Sequence, residues 1–150
     1  MDYNTLKMIH ILSATVMIGT GMGSAFYLFI TYKTCKKETL LDVLKLVIFA
    51  DLLFTTPSVI TQLITGLMLA EKLNLSNTSW YWQVLLISFI VLLLWLGAVY
   101  IQYKLKRISN NDKPLPKLFD NLMNIWIALG VPSFILAVYL YYLMIFKPFI

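Results

Sequence analysis

The chain has 150 residues, of which 60% are hydrophobic and 13% are charged. A soluble domain carries about 25% charged residues, so this composition excludes an ordinary soluble protein, and the length allows one domain over residues 1–150. The net charge of +5 does not indicate a nucleic-acid partner, because most basic residues lie in short gaps between apolar runs. The single cysteine, Cys35, excludes an internal disulfide and a multi-cysteine metal site.

Four long stretches with at most one charged residue each predict four transmembrane helices, with approximate spans 8–32, 45–70, 80–103 and 119–146. About 20 apolar residues are enough for a helix to cross a bilayer, and helices are the spanning form that pairs every backbone polar group in lipid. The sequence therefore predicts an all-α membrane protein, a four-helix transmembrane bundle in contact with the lipid bilayer. The first stretch is too long for a signal-peptide core, so we expect it to be retained.

The first span contains the only histidine of the chain, His10. On a helix with 3.6 residues per turn, Met17, Gly21 and Ser24 share its face, and small side chains let another backbone or a flat ring approach closely. An ionisable residue inside a membrane is a candidate for function. His10 is interpreted as a structural hydrogen bonder, as an axial ligand of haem iron, or as a proton relay. In the haem interpretation Met17, Gly21 and Ser24 flank the ring. Gln62 and Thr65 of the second span, near the level of His10, either donate to a propionate or satisfy each other.

Two further glycines of the first span, Gly19 and Gly23, form a GxxxG pattern on a neighbouring face. This pattern brings transmembrane helices into close contact, so it predicts a homo-oligomer.

Prolines interrupt the second and fourth spans at Pro57 and Pro132, each followed by a serine. Proline lacks a backbone N–H and clashes with the carbonyl four residues earlier, so both helices are predicted to kink. The shared Pro-Ser pattern also suggests two related helical hairpins, which is a feature of some transporters.

The basic connections 33–44 and 104–118 are predicted to be cytoplasmic by the positive-inside rule, with both termini outside. In this orientation His10 lies near the outer surface and Asp51 near the inner surface, so the two should not touch. Asp51 is expected to pair with Lys45, Lys104 or Lys106.

Three stretches resemble a known family: "LKMIHILSATVMIGTGMGSAFYLF", "ADLLFTTPSVITQLITGLMLA" and "IWIALGVPSFILAVYLYYLMIFKP". They are similar to an uncharacterised bacterial family of predicted integral membrane proteins with a domain of unknown function. That family in turn resembles the HemJ type of protoporphyrinogen IX oxidase, a four-helix membrane protein that carries haem b. The features shared with that type are Leu6-Lys7 ahead of His10, Thr56-Pro57 leading to Gly66, and the closing Lys147-Pro148.

The resemblance implies a location in a bacterial inner membrane. It also implies a haem b cofactor with His10 as the candidate ligand, in a redox or porphyrin-handling role. It does not imply an activity, because the HemJ type has a lysine early in the third span where this chain has Gln83 and Val84. The alternative is a non-enzymatic membrane subunit or assembly factor, since no multi-residue catalytic constellation is present. A small transporter is the third interpretation, suggested by the proline-interrupted helices.

Overall fold

A computed structural model of the protein describes residues 1–109 and 115–147. Its elements are α1 (Tyr3–Thr34), α2 (Lys37–Ala50), a π-helical segment (Asp51–Thr55), α3 (Thr56–Lys72), α4 (Ser79–Ile108) and α5 (Lys117–Phe146). Within the described residues there is no strand, and four helices are long and apolar enough to cross a membrane, with α2, the π segment and α3 forming one of them. The predicted all-α class with four spans is confirmed.

The helices reach beyond the predicted spans, and the predicted connection over residues 33–44 is shorter than expected, since only Cys35 and Lys36 separate α1 from α2. Helix α2 begins at Lys37, with Glu38 in its first turn, where a negative charge is favourable at a helix N-terminus. Leu40 and Leu44 are buried in its first two turns, so their packing stabilises the helical conformation of this polar stretch. At the second basic connection α4 ends at Ile108 and α5 begins at Lys117. Lys113 lies outside the described residues, as does Pro148.

The second span changes its helical register immediately before Pro57. The N–H of Thr56 donates to the carbonyl of Asp51, and so does the Thr56 hydroxyl at 2.8 Å. A π-helical turn holds one extra residue, which accommodates a proline that has no N–H to give. The chain remains helical through Pro57 and through Pro132 inside α5, and the kinks at these two prolines stay predictions.

The helices form two hairpins, one of α1 with α2, the π segment and α3, the other of α4 with α5. We call the end that carries Thr34, Lys37, Ile108 and Lys117 the basic end. The hairpins share a core near that end, built from the following buried residues: Leu28, Leu40, Leu44, Val47, Ile48, Ala98, Ile101, Leu105, Phe119, Leu122, Met123 and Trp126. Towards the opposite end α3 makes no extensive contact with α4 or α5, so the hairpins are joined mainly near the basic end.

The opposite end has its own local anchors. Asp2 caps α1 by accepting the backbone N–H of Thr5 at 2.6 Å, and this hydrogen bond lowers the pKa of the exposed Asp2 carboxyl. Between α4 and α5, the indole N–H of Trp80 donates to the carbonyl of Leu143 at 2.7 Å, which pairs a buried donor beside a small apolar cluster. The Trp80 hydrogen bond therefore joins α4 to α5 away from the shared core, whereas the Asp2 cap stabilises the start of α1 alone.

Candidate functional site

The most connected polar cluster inside the spans surrounds His10, at the end opposite the basic end. His10 Nδ1 lies 2.8 Å from the hydroxyl oxygen of Thr65, and His10 Nε2 lies 3.0 Å from Nε2 of Gln62. The Ser13 hydroxyl donates to Oε1 of Gln62 at 2.6 Å. Two residues of α1 and two of α3 therefore form one hydrogen-bonded unit, which we call the His10 cluster.

Helical spacing explains why these side chains meet. His10 with Ser13, and Gln62 with Thr65, are each three residues apart and so share one face of a helix. Gly66, one residue further along α3, gives the imidazole room: a Cβ there would lie only 3.2 Å from Cε1 of His10. The ring consequently lies close against the backbone of α3.

The hydrogen-bond directions assign the proton on His10. The Thr65 hydroxyl donates its one hydrogen to the Thr61 carbonyl at 2.6 Å, so its oxygen must accept from Nδ1–H. The 2.6 Å contact between Ser13 and Gln62 suits an O–H···O bond and is short for N–H···O, which places Oε1 of Gln62 towards Ser13. The Gln62 amide nitrogen then donates to Nε2. The network therefore assigns a neutral imidazole with its hydrogen on Nδ1 and a lone pair on Nε2.

This arrangement resembles the surroundings of metal-bound histidines, which usually donate one ring N–H to a neighbouring acceptor and bind metal through the other nitrogen. Here Thr65 is that acceptor, and Nε2 is occupied by a neutral amide. Residues 1–109 and 115–147 contain no group of three or more His, Cys, Asp or Glu suited to a metal ion. Any metal chemistry at this cluster thus depends on a single imidazole.

The predicted site residues are only partly brought together. Gln62 touches His10, whereas Met17, Gly21 and Ser24 lie about 10, 16 and 21 Å further along the axis of α1. The Ser24 hydroxyl donates to the Gly21 carbonyl at 3.3 Å, and a Cβ on Gly21 would meet nothing within 4 Å. The roles of these three residues beside a ring stay predictions.

A second polar cluster lies near the basic end, where sequence analysis places Asp51 beside a lysine. The structure gives Asp51 other partners: Thr55 donates to its Oδ1 at 2.8 Å, and Gln102 of α4 donates to its Oδ2 at 2.9 Å. Lys45 instead pairs with Asp42 at 2.8 Å, so the expected lysine pairing is wrong. The reason is that Asp51 faces the interior between the hairpins, whereas Lys45 is exposed. As expected, His10 and Asp51 belong to separate clusters.

Comparison with known proteins decides the family. The pattern of the family described as predicted integral membrane protein (DUF2269) matches residues 4–148. The chain belongs to this family. The match confirms the resemblance to a family of predicted integral membrane proteins, and a multi-pass DUF2269 protein agrees with the four spans of the structure. No curated protein and no solved structure matches the chain, so the similarity of this DUF2269 protein to the HemJ type stays a prediction.

Proposed function

We propose that this integral membrane protein binds haem b through Nε2 of His10 and acts in a redox or porphyrin-handling role. The observation that carries the proposal is the assigned tautomer: Thr65 holds the hydrogen on Nδ1, and the lone pair of Nε2 is accessible once the Gln62 amide moves. The residues present therefore fit an axial ligand. When bound, the haem supplies the electron chemistry, while the protein sets the ligand and its burial.

When the Gln62 amide moves away from His10, the other polar groups of the cluster keep a hydrogen-bond partner. The Ser13 hydroxyl, which donates to Gln62, also lies 2.9 Å from the His10 carbonyl and can donate there instead. Gln62 is only partly buried, so its freed amide has room to act as a donor to a propionate. Met68 or Met144 would be a further iron ligand from this chain, or His10 would be the only one.

The test is the visible spectrum of detergent-purified protein, oxidised and reduced with dithionite, after expression with a haem precursor. We expect a Soret band and sharp reduced α and β bands, both lost in His10→Ala. Gln62→Leu should keep the haem, because the ligand His10 remains and the variant loses only the donor that competes for Nε2 together with one hydrogen bond to a propionate. The matched variant Gln83→Leu on α4 should leave the spectrum unchanged. Thr65→Val should keep colour but shift the reduction potential, because Nδ1–H loses its acceptor.

Each outcome decides between the candidate functions. A colourless wild type at full haem supply contradicts the haem proposal and leaves the non-enzymatic subunit or assembly factor as the better function. A coloured His10→Ala protein keeps the cofactor but removes His10 as its ligand.

We also propose the predicted orientation, with both termini outside and the basic end in the cytoplasm of a bacterial cell. Cys35 is exposed at the basic end and is the only cysteine of the chain. Its labelling by a thiol reagent therefore shows which side of the membrane the basic end faces. A membrane-impermeant maleimide should label Cys35 in inverted inner-membrane vesicles and not in intact spheroplasts, and Cys35→Ser is the control for background labelling. The reverse pattern would contradict the orientation.

We also propose that the protein forms a homo-oligomer through Gly19 and Gly23 of α1. A Cβ on either glycine would meet nothing within 4 Å, so this face of α1 is not used within one chain. It is therefore free to approach a second copy closely.

A further inference from the structure

Asp51 is a carboxylate inside a membrane span without a positively charged partner. It is 7% exposed, and both of its hydrogen bonds come from neutral groups, the Thr55 hydroxyl and the Gln102 amide. The lysine nearest to it in the sequence, Lys45, pairs with Asp42 instead, at 2.8 Å. A buried, uncompensated carboxylate is costly in a membrane, so the charge of Asp51 must be neutralised by something else.

The Gln102 side chain beside Asp51 is also incompletely bonded. It is 4% exposed, and its Oε1 has no hydrogen-bond partner although it is buried. Such an orphaned buried acceptor is uncommon in native proteins and indicates a missing partner. An acceptor oxygen is satisfied by a donor or by a cation.

A proton on Asp51 resolves only one of these two defects. It removes the charge, but one end of the Gln102 amide stays unpaired whichever way the amide is turned, because only one end reaches Asp51. A cation resolves both defects, since it neutralises the carboxylate and takes Oε1 as a ligand. The structure therefore favours a cation over a proton alone.

The available ligands specify the kind of cation. Carboxylate, hydroxyl and amide oxygens are hard ligands that suit alkali and alkaline-earth ions. Because Asp51 supplies a single negative charge, a divalent ion would leave a net positive charge buried in the span. The ion that fits is monovalent.

We propose that Asp51, Thr55 and Gln102 form a binding site for a monovalent alkali cation between the π segment and α4. The π-helical turn supports a functional assignment, because such turns occur frequently at functional sites and this one contains both Asp51 and Thr55. Gln102 belongs to the other hairpin, so a bound ion links the two hairpins where they meet. The site is independent of haem binding at His10.

A second orphaned atom extends the same face of α4. Trp95 lies two turns before Gln102, about 10 Å along the helix, and its buried indole N–H has no partner in the structure. A buried donor of this kind normally binds an ordered water. The face of α4 that carries Gln102 therefore has a second buried polar group, the Trp95 indole N–H, which can bind a water outside the cation site.

The experiment uses full-length protein in lipid nanodiscs and measures binding of radioactive sodium together with the thermal unfolding midpoint. NaCl, KCl and LiCl are compared with choline chloride at constant ionic strength. We expect saturable binding of one sodium ion per chain. We also expect the midpoint to rise with an alkali ion by a similar increment for each tenfold step above the dissociation constant.

Two variants and two matched controls localise the effect. Asp51→Asn removes the charge and Gln102→Met removes the orphaned oxygen at similar volume, and each should lower sodium affinity at least tenfold and remove the alkali-specific shift. Glu71→Gln, at an exposed acid, and Gln83→Met, on the same helix as Gln102, should behave like the wild type.

The proposal is overturned if the wild type binds no sodium, or if choline raises the midpoint as much as the alkali ions do. It is also overturned if Asp51→Asn keeps the wild-type sodium affinity. Should Asp51→Asn not fold, Gln102→Met and the binding measurement on the wild type decide the outcome without it.

Discussion

A leucine in place of Gly66 is expected to separate α3 from α1 at the His10 cluster and to lower the free energy of unfolding by about 3 kcal/mol. The Cβ alone would lie 3.2 Å from Cε1 of His10, closer than ordinary van der Waals contact. The imidazole cannot retreat without breaking its bonds to Thr65 and Gln62, so the added carbons must push the helices apart. Reversible unfolding in sodium dodecyl sulfate, followed by circular dichroism, measures the loss.

Gly130→Leu is the matched control for this prediction. Gly130 also lies inside a transmembrane helix, α5, but a Cβ there would meet nothing within 4 Å. We expect Gly130→Leu to change stability by less than about 0.5 kcal/mol, as for a substitution on an open surface. Equal losses in the two variants would show that Gly66 is not a contact point of the imidazole. In haem-loaded protein, Gly66→Leu should also lose the Soret band if His10 is the ligand.

Truncation of Phe119 to alanine is expected to cost about 3 kcal/mol, near the lower end for a fully buried phenylalanine. Phe119 is 0% exposed and belongs to the core shared by the two hairpins. The lower end applies because lipid is as apolar as the protein interior, so the loss comes from packing and the cavity rather than from transfer to water. Since α3 makes no extensive contact with α4 or α5, the shared core has little support elsewhere.

Phe89→Ala, on α4, provides the control for Phe119→Ala. Phe89 is 57% exposed on the surface available to lipid, so lipid chains fill the space that its ring leaves. We expect its midpoint in dodecyl sulfate to stay within experimental error of the wild type. A loss at Phe89 as large as that at Phe119 would contradict a junction concentrated in the shared core.

The structure separates the two polar clusters by their place in the fold. The His10 cluster lies within one hairpin, between α1 and α3, so it can form when that hairpin forms. The cluster of Asp51 and Gln102 spans both hairpins and requires their junction. Phe119→Ala is therefore expected to disturb the second cluster more than the first.

The sequence by itself determined the class of protein, the number of spans and the presence of one histidine inside a span. Each of these follows from local properties: a span is recognised from the summed hydropathy of about 20 residues, whatever lies beside it. The single histidine stands out for the same reason, because an ionisable residue within an apolar span is visible in the sequence before its partners are known. The helical start of α2 at Lys37 was missed because it depends on the burial of Leu40 and Leu44 in a distant core.

Only the tertiary structure decided which side chains meet. Thr65 accepts from His10, and Gln102 of α4 donates to Asp51, through contacts between residues about 50 positions apart. In a soluble helix the apolar stripe reveals which face is buried, but these spans are apolar on all sides. Lipid accommodates each apolar face almost equally, so hydropathy does not specify how a helix is rotated. Rotation and register are set by packing against the neighbouring helices, and they decide the partners of His10 and Asp51.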